Sequence, residues 1–171
     1  MLNNGKTLVI GVAGEIGAGK GAVCRTFKKL GGTIIDVDRI GHKILTQDDV
    51  QEELVDEFGE EILKDNGGID RKSLGNIAFK SQKNIKKLNS ITHPRINSII
   101  MNAFEKYHKN KPLILDIALP AEIGVTEHFD VTVFVTADFE TRLERVKRRG
   151  WTKAELERRE KMMKDSLALR E

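Results

Sequence analysis

Unbroken apolar runs recur along the chain at lengths suited to strands buried inside a sheet. Leu8-Val9-Ile10 lies in a first predicted strand over 7–12, and Thr33-Ile34-Ile35 forms a second that ends in Asp36-Val37-Asp38. Pro112 to Ile117 contains a third, with Asp116 near its end, and Val131 to Val135 makes a fourth. Between these runs the spacing of apolar residues changes to that of helices. Residues 19–30 read as the first helix, closed by Gly31-Gly32.

From Arg39 to Tyr107 the pattern is helical throughout. Ile40, Ile44 and Leu45 come first, followed by Val50, Leu54, Val55 and Phe58, with Gly59 as a stop. Asp49 three residues after Thr46 suggests a capping-box analogue. Gly67-Gly68 marks a turn, and Asp70 can cap a helix carrying Leu74, Ile77, Ala78 and Phe79. His93-Pro94 is expected to open another helix, with Pro94 in its first turn and Ile96, Ile99, Ile100 and Phe104 on one face. Asp138 can cap Phe139–Arg149, Gly150 ends it, and Thr152 with Glu155 makes a capping box for a last helix running towards Glu171.

Composition narrows the class without naming a function. The 171 residues are 39% hydrophobic and 32% charged, which excludes a disordered or membrane-spanning chain and suits one domain. No stretch has the apolar length of a membrane helix, and no signal-peptide pattern opens the chain, so a cytoplasmic location is expected. The single Cys24 excludes an internal disulfide and a multi-cysteine metal site, and reads as a small core residue. A net charge of +3 does not call for nucleic acid, although Lys and Arg bunch near 142–149 and 158–161.

The candidate chemistry lies at the end of the first strand, in Gly14-Glu15-Ile16-Gly17-Ala18-Gly19-Lys20. Glycines at 14, 17 and 19 allow a tight turn that points successive N–H groups into a concavity at a helix N-terminus, and Lys20 would reach the outer phosphates. The match to G-x-x-x-x-G-K-[ST] then fails, because Gly21 stands where a Ser or Thr hydroxyl would meet Mg²⁺. Strands of an open parallel sheet present ligands beyond their carboxyl ends, so Asp36, Asp38 and Asp116 fall on the same rim as the loop. Asp38 reads equally as a cap of the helix that follows, and the helical stretch equally as a subdomain or as plain packing. The arginines at 142, 145, 148 and 149 read as a solvated helix face or as a clamp for phosphate oxygens.

Taken together, these separated motifs resemble the dephospho-coenzyme A kinase family, P-loop kinases of the nucleoside-monophosphate-kinase type. The resemblance runs through the glycine loop, Ile35-Asp36-Val37-Asp38, Phe58-Gly59 with Ile62-Leu63, Ile69 to Leu74, His93-Pro94-Arg95-Ile96, Leu115-Asp116-Ile117 and the Arg145 to Arg149 helix. It implies an α/β fold of the P-loop three-layer type. A parallel sheet of four to five strands would carry a helical acceptor-binding insertion over about 40–110 and a lid over about 138–160, within a single domain spanning 1–171.

The implied reaction is phosphorylation of the 3′-hydroxyl of dephospho-coenzyme A by ATP. Asp38 and Lys20 would be the catalytic pair. Gly14, Glu15, Ile16, Gly17, Ala18, Gly19, Lys20, Gly21 and Ala22, with Arg145 and Arg149, would bind the nucleotide. Asp38, His93, Arg95 and Asp116 would contact the acceptor. Mg²⁺ is expected through ATP phosphates and water, with no certain protein ligand. The partners implied are ATP and dephospho-coenzyme A, with no nucleic acid and no membrane, in a monomer or weak homo-oligomer. Departures from the family pattern are Gly21 for Ser or Thr, Ala13 for Thr, Glu15 for a second Gly, and Ala118-Leu119-Pro120 for Pro-Leu-Leu. A kinase for another nucleoside or nucleotide, or a homologue that binds nucleotide without transfer, are the alternative readings.

Overall fold

The computed structural model describes residues 7–107, 111–118 and 123–163, so Leu119 and Pro120 and the chain beyond 163 lie outside the described residues. The described chain divides into two compact units, one of residues 1–38 with 101–171 and the other of Arg39–Ile100.

The first unit is built on four parallel strands, β1 (Val9–Gly14), β2 (Thr33–Asp36), β3 (Leu113–Asp116) and β4 (Val131–Val135), in the order β2-β3-β1-β4. Every residue of β1 is buried, as expected for a strand with neighbours on both sides and cover on both faces. Helix α1 (Lys20–Lys29) packs on the first three strands and contributes Cys24 to a core with Ile10, Val12 and Ile114. The predicted strands and the observed ones coincide except at the first, which runs to Gly14 rather than ending at 12. Gly14 pairs with Val135 of β4, and a Cβ there would lie 2.4 Å from the Val135 carbonyl oxygen. The first glycine of the loop motif therefore belongs to the sheet, and its missing side chain lets β4 close on β1.

Register sets the rim. Asp36 pairs with Asp116, and Val12 of β1 also pairs with Asp116, so the carboxyl ends of these strands bring two carboxylates level with the loop that leaves β1. Helix α2 (Val37–Ile44) follows β2 without a loop, which puts Asp38 in its first turn instead of at its cap.

The second unit has its own core of Val50, Leu54, Phe58, Ile62, Ile69 and Leu74. Helix α3 (Asp48–Phe58) ends at Gly59 with φ 83°, and α4 (Arg71–Ala78) is capped by Asp70, whose carboxylate accepts from Lys72 N at 3.1 Å and Ser73 Oγ at 2.7 Å. The expected Thr46–Asp49 capping box does not form. Thr46 donates to the Lys43 carbonyl at 2.8 Å, and Gln47 stands at the N-cap of α3. Pro94 is also not a helix start. Helix α5 runs unbroken from Gln82 to Lys106 with Pro94 inside it. The proline forgoes one backbone bond. Around it, Thr92 donates to the Leu88 carbonyl at 2.9 Å and Arg95 Nη1 to the Ile91 carbonyl at 2.8 Å.

Two helices close the first unit. Asp138 caps α6 (Phe139–Lys147) through Thr141 N at 2.7 Å, Gly150 follows with φ 82°, and Thr152 accepts from Glu155 N at 3.2 Å at the start of α7 (Lys153–Met163). Leu143, Val146 and Leu156 form the core between them, with Ile16 of the glycine loop packed against it. Among the described residues no helix is long and apolar enough to cross a membrane.

Candidate active site

Between β1 and α1 the chain turns through two left-handed glycines, Gly17 (φ 78°) and Gly19 (φ 109°, ψ 19°). Side chains adopt this region at a cost, and at Gly17 a Cβ would also lie 2.9 Å from the Arg142 carbonyl oxygen. Gly19 is the N-cap of α1 and has no side chain to bond the first helical N–H groups. A helix opening in this way presents backbone donors and the positive end of its dipole to an anion.

Lys20, the first residue of α1, makes an ion pair with the Asp116 carboxylate, the two side chains being 20% and 18% exposed. Cys24 follows one turn later on α1 and is buried near the Asp116 carboxylate, whose charge acts on it. Burial, and then the adjacent Asp116 charge, pushes its thiol up to about 12. The thiol is thus neutral at ordinary pH and not a nucleophile. Sequence patterning identified Cys24 as a core residue but not its nearness to Asp116, which requires knowing that α1 lies over the end of β3.

The outer side of the loop is held by α6. Arg145 Nη1 donates to the carbonyls of Gly17 at 3.0 Å and Ala18 at 2.8 Å. Arg142 is 6% exposed and donates to the Ile16 carbonyl at 3.4 Å and the Ala137 carbonyl at 3.0 Å. It also pairs with Glu15 at 3.5 Å and with Glu160 of α7. Glu15 in turn accepts from the Thr136 hydroxyl at 2.5 Å. The sequence marks Arg142 only as a helix arginine that could clamp phosphate, and nothing in it marks Thr136 or Glu160, since their partners are distant in sequence.

The remaining expected site residues are placed as follows. Asp38 is exposed in the first turn of α2, and Gly21 and Ala22 are exposed in the first turn of α1. Arg149 is exposed just beyond α6. His93 and Arg95 belong to the second unit, on α5. Arg95 is engaged there by Asp49 at 2.9 Å and Glu53 at 2.6 Å, and its guanidinium holds the Asp49 carboxyl below the usual carboxylate range. Among the described residues no group of three or more His, Cys, Asp or Glu could hold a metal by itself.

Comparison with known proteins adds a family to this geometry. The family described as dephospho-CoA kinase matches residues 8–166 of the chain. A protein of that name from Fusobacterium nucleatum is 35% identical over 161 residues, covering 94% of this chain and 82% of that protein. Another, from Aquifex aeolicus, is 35% identical over 151 residues, covering 88% and 77%. A crystal structure of a Thermus thermophilus protein superposes with a TM-score of 0.76 at 27% identity, covering 91% of this chain and 80% of that one. A dephospho-CoA kinase structure from Campylobacter jejuni, at 24% identity and a TM-score of 0.55, shares the fold.

The Cys24 environment has a direct chemical consequence. Below pH 9.0 the thiol is protonated in folded and unfolded chain alike, but between 9.0 and about 12 only the folded chain keeps the proton. Raising pH through that range therefore removes stability that Cys24 contributes below it. At pH 8 a disulfide exchange reagent is expected to leave native Cys24 untouched and to titrate one thiol per chain in urea. Native reaction at the rate of an exposed thiol would contradict the burial of Cys24.

Proposed function

The chain belongs to the dephospho-CoA kinase family, and from that premise we propose how its own residues divide the work. The activity is transfer of a phosphoryl group from ATP to dephospho-CoA. We assign the acceptor group as the ribose 3′-hydroxyl. The observation that carries the site assignment is the convergence on one rim of the glycine turn, the Lys20–Asp116 pair and the end of β2 with Asp36 and Asp38.

Phosphoryl transfer needs positioning and charge stabilisation more than covalent chemistry from the protein. The donors of the turn and the N-terminus of α1 would take the nucleotide phosphates. Lys20 would exchange its Asp116 partner for phosphate oxygens, and that ion pair holds the ammonium at the rim. Asp38 would orient the attacking hydroxyl and accept its proton. Asp116 enters through its contact with Lys20, which supports a place on the phosphate side in addition to the acceptor contact that the resemblance implies.

A divalent cation, Mg²⁺ in our reading, fits this donor set. Such ions commonly keep several waters and use one or two carboxylates with substrate phosphates, and Asp36 and Asp116 stand in register at adjacent strand ends. When bound it would neutralise charge on the phosphates. Gly21 offers it no hydroxyl, and a water would take that place. His93 and Arg95 on the helical unit are proposed acceptor contacts, Arg149 a nucleotide contact, and residues 138–160 a lid. We read the assembly as a monomer or weak homo-oligomer.

Asp38→Asn is expected to lower kcat by about 10²–10⁴, the usual worth of a positioned base, while calorimetric ATP affinity stays within about twofold. Undiminished kcat would remove Asp38 from the chemistry. Gly21→Ser tests the loop from the other side. A Cβ at 21 would lie 3.6 Å from Arg25 Nη1, an ordinary contact, so the serine fits. Restoring one bond to a charged centre is worth about 1.5–3 kcal/mol, so turnover at limiting Mg²⁺ should rise about ten- to a hundredfold. No change in turnover or Mg²⁺ dependence would show that the hydroxyl is not what this loop lacks.

A further inference from the structure

Beyond its reading as part of a solvated face or phosphate clamp and its place in the proposed 138–160 lid, Arg142 has been given no role of its own, yet it is the most deeply buried charged side chain described, at 6% exposure. Its guanidinium bonds the Ile16 and Ala137 carbonyls and lies between the carboxylates of Glu15 and Glu160. We propose that Arg142 is a positioning residue that fixes the shape of the phosphate loop from behind and ties that shape to α7 through Glu160. The inference rests on the reading of the loop as the ATP phosphate site.

The argument comes from peptide geometry. Each peptide is planar and trans, so a carbonyl turned towards α6 turns the N–H of the next residue away from α6. Arg142 on the Ile16 carbonyl therefore directs the Gly17 N–H to the opposite side, and Arg145 on the Ala18 carbonyl does the same for the Gly19 N–H. The Ala18 N–H is already used by the Glu15 carbonyl at 3.1 Å. A glycine turn free of these bonds would sample many arrangements and lose that freedom on binding phosphate. Bonds that set the turn in advance lower this cost equally for bound substrate and transition state.

An interaction of that kind appears in KM and in binding, not in kcat. Arg142→Gln is expected to raise the calorimetric Kd and the KM for ATP about tenfold or more, with kcat within about threefold and the KM for dephospho-CoA unchanged. Arg142→Lys should behave like Arg142→Gln, because a single ammonium cannot supply the fork that spans two carboxylates and two carbonyls. Glu160→Gln on α7 keeps Arg142 in place and should shift ATP affinity in the same direction by a few fold, which serves if the Arg142 variants are too unstable to assay. Lys29→Ala, an exposed change at the far end of α1, should alter neither constant.

Variants that melt earlier yet keep ATP Kd and KM within twofold would overturn the proposal and leave Arg142 as a packing residue. A loss confined to kcat, or a fully active Arg142→Lys, would overturn it as well. Failure of the unmodified chain to bind ATP would instead contradict the reading of the loop itself.

Discussion

Backbone carbonyls of the glycine turn are held by guanidinium groups from one helix, and much else in the first unit is arranged so that this can happen. Gly17 must lack a side chain for α6 to approach, since a Cβ would meet the Arg142 carbonyl. Gly14 must lack one for β4, whose following residues lead into α6, to close against β1. The glycines of the loop are usually considered from the phosphate side. Here two of them are required by what lies behind the loop.

Burying an arginine among carbonyls is costly unless every donor finds an acceptor. Arg142 offsets that cost with two carbonyls and two carboxylates around its Nε and Nη1, and Glu15 also accepts from Thr136. Removing one member of such a group leaves a buried charge without its partner, so its members are expected to behave as a unit. The rim side of the loop follows the opposite logic. Lys20 and Asp116 remain partly exposed and are joined by one ion pair.

Local signals in the sequence were read correctly where the physics is local. Asp70 and Asp138 cap helices because a short carboxylate reaches the N–H groups two or three residues on, and Gly59 and Gly150 end helices because the left-handed turn favours glycine. The strands were legible as continuous apolar runs, although only β1 and the apolar run of β3 are buried throughout and β4 leaves Val131 exposed. Pro94 was misread as a helix start. The preference of proline for a first turn is weak beside the continuous α5, in which Thr92, Ile96 and Ile100 are buried. The Thr46 cap failed for a similar reason, its hydroxyl taking the nearer Lys43 carbonyl. The contacts of Arg142 are not legible in the sequence, where it reads as part of a solvated face or a phosphate clamp. In sequence it is one arginine among four on a charged helix, and only the fold brings it to Glu15 and Glu160.

The central claim is that this loop, with its unusual Gly21, binds ATP productively and delivers its phosphoryl group to dephospho-CoA. The direct measurement is ADP release from ATP·Mg²⁺ with and without dephospho-CoA, with the position of the new phosphate read by ³¹P NMR. The account predicts ADP formed in step with a product phosphorylated on the ribose 3′-oxygen. Tight ATP binding with ADP release that dephospho-CoA does not stimulate would contradict it.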